Sequence, residues 1–338
     1  MRTVTLADSD AAIRQAADVI KAGGLVAIPT ETVYGLGADA LNPAAVKKIY
    51  VAKGRPADNP LIIHIADMDG LNEVAFDIPP LAYALADKLW PGPLTLILKK
   101  HSRVPSETTG GLATAAVRLP RNETARRLIR AAGTPIAAPS SNVSGRPSAT
   151  TAKHVFDDLG GRIDMILDGG ACEIGLESTV CDLLSSPPRV LRPGAVTLTM
   201  LRDVEPSFVQ AGPGEGAMSP GMRYTHYAPK AEVMLVTGGN TVRKILDLIA
   251  EYAQAGKRIG VMASDETAAL YEGCGATVIS AGSRERLETI AANLYETLRE
   301  FDRRGVDVIF AEGYAPEGLG FTITDRLARA AGGRVIES

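Results

Sequence analysis

The sequence has few of the residues that build disulfide-bonded or zinc-stabilised folds. Only three of its 338 residues are cysteine, at positions 172, 181 and 274, and none of them forms a Cys-x-x-Cys pair. An odd number of cysteines without that spacing excludes a disulfide framework and a cysteine zinc site, and suits a reducing compartment. The four histidines lie at positions 64, 101, 154 and 226 and show no His-Glu-x-x-His spacing. We therefore expect no zinc.

The motifs of several common enzyme classes are also missing. The sequence contains no Gly-x-x-x-x-Gly-Lys-Ser/Thr phosphate loop and no Gly-x-Ser-x-Gly motif. Its Gly-x-Gly-x-Gly run at residues 212–216 lies in a proline-containing stretch, with no predicted strand before it and no predicted helix after it. Because a dinucleotide fingerprint needs both elements, we expect no NAD.

Neither charge nor hydrophobicity dominates the composition. Lys and Arg number 36 and Asp and Glu 39, a net charge of −3, which argues against a protein that mainly coats nucleic acid. No uncharged apolar run approaches the ~18 residues of a membrane span, and the first residues lack the apolar region of a signal peptide. We expect a cytoplasmic protein of about two domains with no membrane partner.

Predicted elements fall into two blocks, separated by a stretch rich in glycine and proline. Residues 1–205 form a mixed α/β domain, with helices predicted at 10–22, 43–52 and 81–89 and strands at 25–28, 61–65, 94–98, 115–119, 136–138, 165–167, 179–184 and 190–191. Residues 206–230 read as a linker without regular structure. Residues 231–338 form a smaller Rossmann-like parallel α/β domain, with strands at 232–236, 258–262, 277–280 and 306–311 and helices at 242–255, 266–272 and 285–302.

Polar residues gather just after the C-terminal ends of three predicted strands. Residues 29–37 read Pro-Thr-Glu-Thr-Val-Tyr-Gly-Leu-Gly, Arg118 ends another strand, and residues 139–145 read Pro-Ser-Ser-Asn-Val-Ser-Gly. In open α/β sheets this edge is where ligands bind. Ser, Asn, Pro and Gly are also ordinary turn residues, but the agreement of three segments favours a site.

A short basic segment adds a chemical hint. Lys53 and Arg55 flank Gly54, shortly before Asn59. A lysine supplies a point charge and an arginine a planar fork, a pair suited to polyphosphate. A solvated surface loop explains the segment equally well. In both cases we expect Lys53 and Arg55 to be exposed.

Taken in order, these segments resemble the threonylcarbamoyl-AMP synthase family, whose catalytic module is the YrdC-like domain. The resemblance rests on residues 29–36, 53–56, 59–61, Trp-Pro-Gly-Pro at 90–93, Arg-Leu-Pro at 118–120 and Ser-Ser-Asn-x-Ser-Gly at 140–145. Residues 219–229, Ser-Pro-Gly-Met-Arg-Tyr-Thr-His-Tyr-Ala-Pro, and the α/β tail are similar to the longer, two-domain form. One departure is Asp325, where an asparagine is expected before Arg326, and it touches only the second domain.

The resemblance implies a fold and a reaction. The fold is an N-terminal YrdC-like twisted mixed sheet with a concave active-site face. In the reaction, L-threonine, bicarbonate and ATP give threonylcarbamoyl-AMP and pyrophosphate, the first step of threonylcarbamoyladenosine modification beside the tRNA anticodon. Mg²⁺ would be held through the ATP phosphates, with no metal ligand from the protein. The downstream partner is the tRNA threonylcarbamoyl transferase machinery, and weak binding of tRNA or double-stranded RNA is a further expectation.

Matching positions in the motifs imply the site residues. The catalytic set is Lys53, Arg55, Ser140 and Asn142. The threonine set is Thr32, His64, Arg118 and Ser178, with Arg118 as the fork for the carboxylate. The ATP set is Arg55, Asn59, Ser140, Ser148, Arg192 and Tyr227. For Tyr227 to reach the nucleotide, residues 219–229 would fold over the site as a lid. His64, alone in an apolar strand, is also explained as a satisfied core histidine.

Two other functions stay open at this point. A carbamoyl transferase of the hydrogenase-maturation type uses a related domain, but such proteins carry zinc-finger cysteines and further domains that this sequence lacks. A double-stranded RNA-binding module needs a basic face. That face could be supplied by Arg118, Arg121, Arg126, Arg127 and Arg130. A solvated helix face explains the same arginines equally well.

Overall fold

The computed structural model describes residues 2–212 and 226–338, which divide into two compact units. The first unit contains residues 2–144, 148–173 and 177–212, and the second contains 145–147, 174–176 and 226–338. Much of the predicted linker and lid, residues 213–225, lies outside the described residues. Among the helices of the two described stretches, none is long and apolar enough to cross a membrane.

Within residues 2–212, the first unit combines eleven strands with seven helices. The strands are β1 (Val4–Ala7), β2 (Val26–Ile28), β3 (Gly35–Asp39), β4 (Ile62–His64), β5 (Leu94–Lys99), β6 (Thr114–Arg118), β7 (Ile136–Ala137), β8 (Met165–Asp168), β9 (Thr179–Asp182), β10 (Arg189–Arg192) and β11 (Val209–Gln210). The helices are α1 (Asp10–Lys21), α2 (Pro43–Lys53), α3 (Leu71–Val74), α4 (Pro80–Leu89), α5 (Glu123–Ala132), α6 (Ala152–Leu159) and α7 (Leu198–Arg202).

These strands form one mixed sheet, in the order β1-β8-β2-β3-β7-β4-β6-β5-β9-β10-β11. The pairs β4–β6 and β5–β9 are parallel, whereas β2–β3, β4–β7 and β5–β6 are antiparallel. The mixed α/β class predicted from the sequence is confirmed.

Helices cover the sheet because each one has an apolar face. In α1, Ser9 accepts a hydrogen bond from the Ala12 amide, and the buried side chains recur at helical spacing from Ala12 to Ile20. Helix α1 shares one hydrophobic core with α5. A larger core contains the buried residues of α2, α4 and α6.

Three strands of the first unit, β1, β3 and β11, lie where no strand was predicted. Strand β3 begins inside the polar segment 29–37 and ends two residues after it. It pairs antiparallel with β2, with Ala27 opposite Leu36. Its glycines hide it from propensity rules, yet Gly37 is needed because a Cβ there would lie 2.9 Å from Ile136. Strand β11 lies inside the predicted linker and pairs with Arg189 and Val190. The expectation of no regular structure from residue 206 is therefore wrong at Val209–Gln210.

The second unit is a parallel α/β sheet. Its strands are β12 (Glu232–Thr237), β13 (Ile259–Ala263), β14 (Thr277–Ser280), β15 (Val308–Glu312) and β16 (Val335–Glu337), and its α-helices are α8 (Thr241–Gln254), α9 (Leu287–Arg304) and α10 (Gly318–Ala330). Within residues 226–338 every strand pair is parallel, in the order β14-β13-β15-β12-β16. The predicted parallel sheet is confirmed.

Two details of the second unit differ from expectation. The predicted helix at 266–272 is a 3-10 turn, Ala268–Tyr271, followed closely by Gly273 and Gly275 at positive φ. Such residues favour turns over a continuing helix. Helix α10 and strand β16 were not predicted. At the start of α10, Gly318 and Gly320 interrupt the apolar periodicity that would have indicated a helix.

Ending the chain at residue 205 instead of residue 212 is expected to destabilise the first unit. The shorter chain loses Phe208, which is fully buried in the larger core, together with strand β11. Loss of a buried aromatic side chain costs about 3–5 kcal/mol. Urea unfolding of the two truncated proteins measures the difference, and equal midpoints would contradict this account of the boundary.

Candidate active site

The candidate site is built across neighbouring strands of the first unit. His64, the last residue of β4, pairs in register with Arg118, the last residue of β6. Paired residues of adjacent strands point to the same face of a sheet. Strand β5 lies on the other side of β6 and carries Thr95, and β9 follows with Ser178 just before it. The topology thus aligns four polar residues from separate parts of the chain.

Arg118 is a buried cation held by several partners. Its Nη2 lies 2.7 Å from Glu31 Oε1, its Nη1 donates to Thr32 Oγ1 at 2.8 Å, and its Nε donates to the Gly92 carbonyl at 3.2 Å. A guanidinium has more N–H donors than these contacts use, so donors remain for a ligand carboxylate. Burial by itself would raise the pKa of Glu31, but the charge and hydrogen bond of Arg118 outweigh it and lower that pKa. Glu31 is therefore an anion that balances Arg118.

His64 is buried and neutral. Burial first, and the charge of Arg118 second, lower the pKa of His64 to about 3. Within the residues that the structure describes, its Nδ1 has no hydrogen-bond partner although the side chain is 97% buried. A buried polar atom without a partner is costly, so this atom favours a ligand contact over a satisfied core histidine.

Ser178 is held on two sides. Its hydroxyl lies 2.7 Å from Thr95 Oγ1, and Arg192 Nη2 donates to that hydroxyl at 3.1 Å and to the Ser178 carbonyl at 2.8 Å. Arg192, predicted to contact ATP, therefore lies against a residue predicted to contact threonine. The two predicted sets of residues meet here.

Lys53 is not the exposed loop residue that was expected. It is the last residue of α2, which ends at Gly54 with φ +62, and its side chain is buried. Its Nζ donates to the carbonyl oxygens of Ser140 and Asn142. Burial first, and then the charge of Arg55, lower the pKa of Lys53 well below its usual value. The helix continues one residue further than predicted, to Lys53 itself, and it directs the lysine into the loop that follows β7.

Arg55 lies half-buried just beyond α2. Its Nε donates to the Asn59 carbonyl at 3.3 Å and its Nη2 to the Pro60 carbonyl at 3.0 Å. With Lys53 bonded to the loop of Ser140 and Asn142, the structure brings together five of the residues predicted for catalysis and ATP binding: Lys53, Arg55, Asn59, Ser140 and Asn142.

Ser148 is fully buried and donates to Glu177 Oε1 at 2.5 Å. Glu177 was not predicted, and neither were Glu31 and Thr95. Glu31 and Glu177 each lie next to a predicted residue in the chain, at Thr32 and Ser178, and that adjacency is the signal that could have found them. Thr95 has no such signal, because only strand pairing places it beside Ser178.

Tyr227 belongs to the second unit. Its ring packs at 5.3 Å from the ring of Tyr295, and the Arg326 guanidinium lies 5.6 Å from its centroid. The backbone at Tyr227 has φ +67. Its contact with a nucleotide stays a prediction, and residues 219–225 of the predicted lid are outside the described stretches.

The arginines on and near α5 carry no unbalanced charge patch. Arg121 lies 2.7 Å from Glu173 and Arg130 3.3 Å from Glu123, and Arg126 and Arg127 also have acidic partners. This mixture of charges favours a solvated helix face over an RNA-binding face. In the described part of the chain, no group of three or more His, Cys, Asp and Glu residues could hold a metal ion.

Comparison with known proteins covers both units. A family model for Sua5, YciO and YrdC proteins, described as "Telomere recombination", matches residues 18–194, and "Threonylcarbamoyl-AMP synthase, C-terminal domain" matches residues 196–332. The chain is 49% identical to a threonylcarbamoyl-AMP synthase of Pyrococcus abyssi, over 96% of this chain and 95% of the relative. It is 48% identical to one of Bacillus subtilis, over 99% and 97%.

A solved structure extends the similarity to three dimensions. The crystal structure of P. abyssi Sua5 complexed with L-threonine has a TM-score of 0.94 and 47% identity, and the match covers 100% of both chains. With both family models matched and relatives of high identity along almost the whole length, the chain belongs to the threonylcarbamoyl-AMP synthase family.

Proposed function

We propose that this protein makes threonylcarbamoyl-AMP from L-threonine, bicarbonate and ATP, and releases pyrophosphate. The observation that carries the proposal is the buried group of Arg118, Thr32 and His64: a cation, a hydroxyl and a neutral imidazole whose Nδ1 has no partner among the described residues. These groups suit the carboxylate and the polar groups of a small amino acid. The similarity to synthases along both units supports the same conclusion.

Threonine binds in this proposal through the residues of β4, β6 and the start of β9. The unused donors of Arg118 bind the carboxylate, and the His64 imidazole and the hydroxyls of Thr32 and Ser178 bind the remaining polar groups. Glu31 holds the guanidinium in place and offsets its charge. Because these groups come from several strands of one sheet, the site is formed before the ligand arrives.

The chemistry asks for positioning more than for a covalent catalyst. The threonine amine takes up CO₂ derived from bicarbonate as a carbamate, and a carbamate oxygen attacks the α-phosphorus of ATP. The bond from the α-phosphorus to the bridging oxygen breaks, and pyrophosphate leaves with the electron pair. Such a transfer depends on alignment and charge neutralisation. Arg55, Asn59, Ser140, Ser148, Arg192 and Tyr227 are proposed to bind ATP, with Lys53 and Asn142 fixing the loop of Ser140.

Mg²⁺ is proposed to arrive with ATP. No cage of acidic or histidine side chains exists in the described residues, so phosphate oxygens and water would hold the ion. The product would pass to the tRNA threonylcarbamoyl transferase machinery. A carbamoyl transferase is less well supported, since the second unit matches a model of the synthase C-terminal domain.

Pyrophosphate release is expected to need threonine and bicarbonate together, because only their carbamate can attack ATP. A coupled pyrophosphate assay, with mass spectrometry of the products, measures this requirement. Serine should react more slowly, since one missing methyl group in a pocket costs about 1–3 kcal/mol. Equal turnover with ATP alone would contradict the proposal. Activity with carbamoyl phosphate in place of bicarbonate would indicate the carbamoyl transferase.

Lys53→Met is expected to lower both stability and turnover. The variant keeps the apolar stem but leaves two carbonyl oxygens without their donor, which costs about 1–3 kcal/mol. Lys47→Met on the same helix is the matched control, because Lys47 is 65% exposed and forms only a surface ion pair with Glu107. Urea unfolding and pyrophosphate release are measured for both. A Lys53→Met protein as stable as the control would show that Lys53 does not anchor the loop.

His64→Asn is expected to weaken threonine binding without changing its pH dependence between about pH 5.5 and pH 8, because His64 is neutral throughout that range. Titration calorimetry with threonine tests this. In the unfolded chain the histidine binds a proton below its ordinary pKa of 6.5, whereas the folded protein does so only near a pKa of about 3.

The same shift predicts a change in stability with pH. The contribution of His64 to the unfolding free energy is complete above pH 6.5 and falls as the pH drops toward 3. His64→Asn should therefore lose less stability on acidification than the wild type. A wild-type threonine affinity that titrates near pH 6.5, and no longer does so in His64→Asn, would contradict the neutral state.

A further inference from the structure

Two short segments of the N-terminal half of the chain pack within the second unit. They are residues 145–147 and residues 174–176. The neighbours on both sides, Ser144 and Ser148 for one segment and Glu173 and Glu177 for the other, belong to the first unit. Each segment is thus a three-residue excursion of the chain.

The first excursion is held at each of its three residues. The Ala228 amide donates to the Gly145 carbonyl at 2.8 Å, Asp302 Oδ2 lies 3.4 Å from Arg146 Nη2, and Arg299 Nη2 donates to the Pro147 carbonyl at 2.5 Å. Arg299 and Asp302 both come from α9, three residues apart and therefore on one face of the helix.

Both α9 residues are themselves fixed. Arg299 is 93% buried, and Asp302 Oδ1 accepts from the amides of Lys230 and Ala231 at 2.7 and 3.3 Å. The planar guanidinium is pre-organised, so it loses less conformational entropy per hydrogen bond than a lysine side chain does. Helix α9 is therefore a rigid support for residues 145–147.

The second excursion packs by its backbone. Gly175 has φ +73, and a Cβ there would lie 2.6 Å from the Ala291 carbonyl oxygen and from the Ala292 Cα. Both alanines belong to α9, so no side chain fits between the segment and the helix. Glycine is required at this position for close approach and for its backbone conformation.

The residues that follow the two excursions in the first unit, Ser148 and Glu177, are hydrogen-bonded to each other. Pro147 immediately precedes Ser148, Gly175 lies two residues before Glu177, and Ser148 donates to Glu177 at 2.5 Å. Helix α9 thus holds the chain next to the donor and next to the acceptor. We propose that Arg299 and Gly175 are positioning residues, through which α9 sets the Ser148–Glu177 pair for binding ATP.

This proposal rests on the proposed function, in which Ser148 contacts ATP. It assigns the second unit a defined part in the reaction, since the support for Ser148 comes from α9. Misplacement of a binding group by about 1 Å reduces catalysis by up to about 100-fold. Arg299 touches no substrate in this account and acts only through Pro147 and Ser148.

A double-mutant cycle on ATP affinity tests the route. The variants are Arg299→Met, Ser148→Ala and the combination, measured by calorimetry with ATP alone, so that no turnover is needed. Each single variant should weaken ATP binding by about 10-fold, and the combination should be no weaker than Ser148→Ala. Arg303→Met, on the same helix but exposed and paired with Glu296 and Glu300, is the control and should bind ATP as the wild type does.

The second excursion is tested by Gly175→Ala, with Gly133→Ala as its control. Both glycines have positive φ, +73 and +67, so both substitutions carry similar backbone strain, but nothing lies within 4 Å of a Cβ at Gly133. Only Gly175→Ala should weaken ATP binding. This pair keeps the test decisive even if Arg299→Met does not fold.

Threonine affinity separates positioning from general damage. In Arg299→Met it should stay within about twofold of the wild type, because Arg299 acts through Pro147 and Ser148, while Thr32, His64 and Arg118 lie on other elements. Arg299→Met effects that add fully to those of Ser148→Ala, an unchanged ATP affinity in Arg299→Met, or equal effects of Gly175→Ala and Gly133→Ala would each overturn the proposal. Absence of pyrophosphate release from a wild-type protein that binds ATP would instead contradict the proposed function.

Discussion

The buried ion pair of Arg118 and Glu31 is the interaction on which the candidate site depends. Both side chains are almost fully inaccessible, at 4% and 3% exposure, and an isolated charge in that environment would be strongly unfavourable. Removing one member of such a pair lowers the stability of the fold strongly, whereas replacing both members by apolar residues of similar volume is often neutral. The β2–β3 hairpin, which carries Glu31, and strand β6, which carries Arg118, must therefore assemble together.

That requirement explains the polarity of the surroundings. Thr32 and the Gly92 carbonyl accept further hydrogen bonds from the guanidinium. The neighbouring His64 stays uncharged, first because burial lowers its pKa and second because a further cation beside Arg118 would be repelled. The strand pairing fixes these positions before any ligand is present. Under the proposed function, a small amino acid would meet one cation, one neutral imidazole and several hydroxyls, a combination that discriminates by charge and by shape.

Sequence reasoning predicted the two blocks of elements and several polar residues that the structure brings together, because buried strands and the polar segments after them leave local patterns. Which charged side chains are buried could not be predicted in the same way. Lys53 was expected to be an exposed loop charge, yet it is the last residue of α2, and its buried side chain donates to the carbonyls of Ser140 and Asn142. Strand β3 was missed because glycines needed for close packing lower its strand propensity. Thr95 depends on sheet register, which no local pattern encodes.

The excursions at residues 145–147 and 174–176 bear on how this chain can be recombined with its relatives. A cut in the linker separates the halves along the sequence, but it leaves six residues of the second unit behind in the N-terminal half. A chimera that exchanges only the C-terminal half would place a foreign helix against native Gly145–Pro147 and Gly175. The second unit is therefore discontinuous in sequence. A chimera that preserves its packing must exchange residues 145–147, residues 174–176 and the C-terminal stretch together.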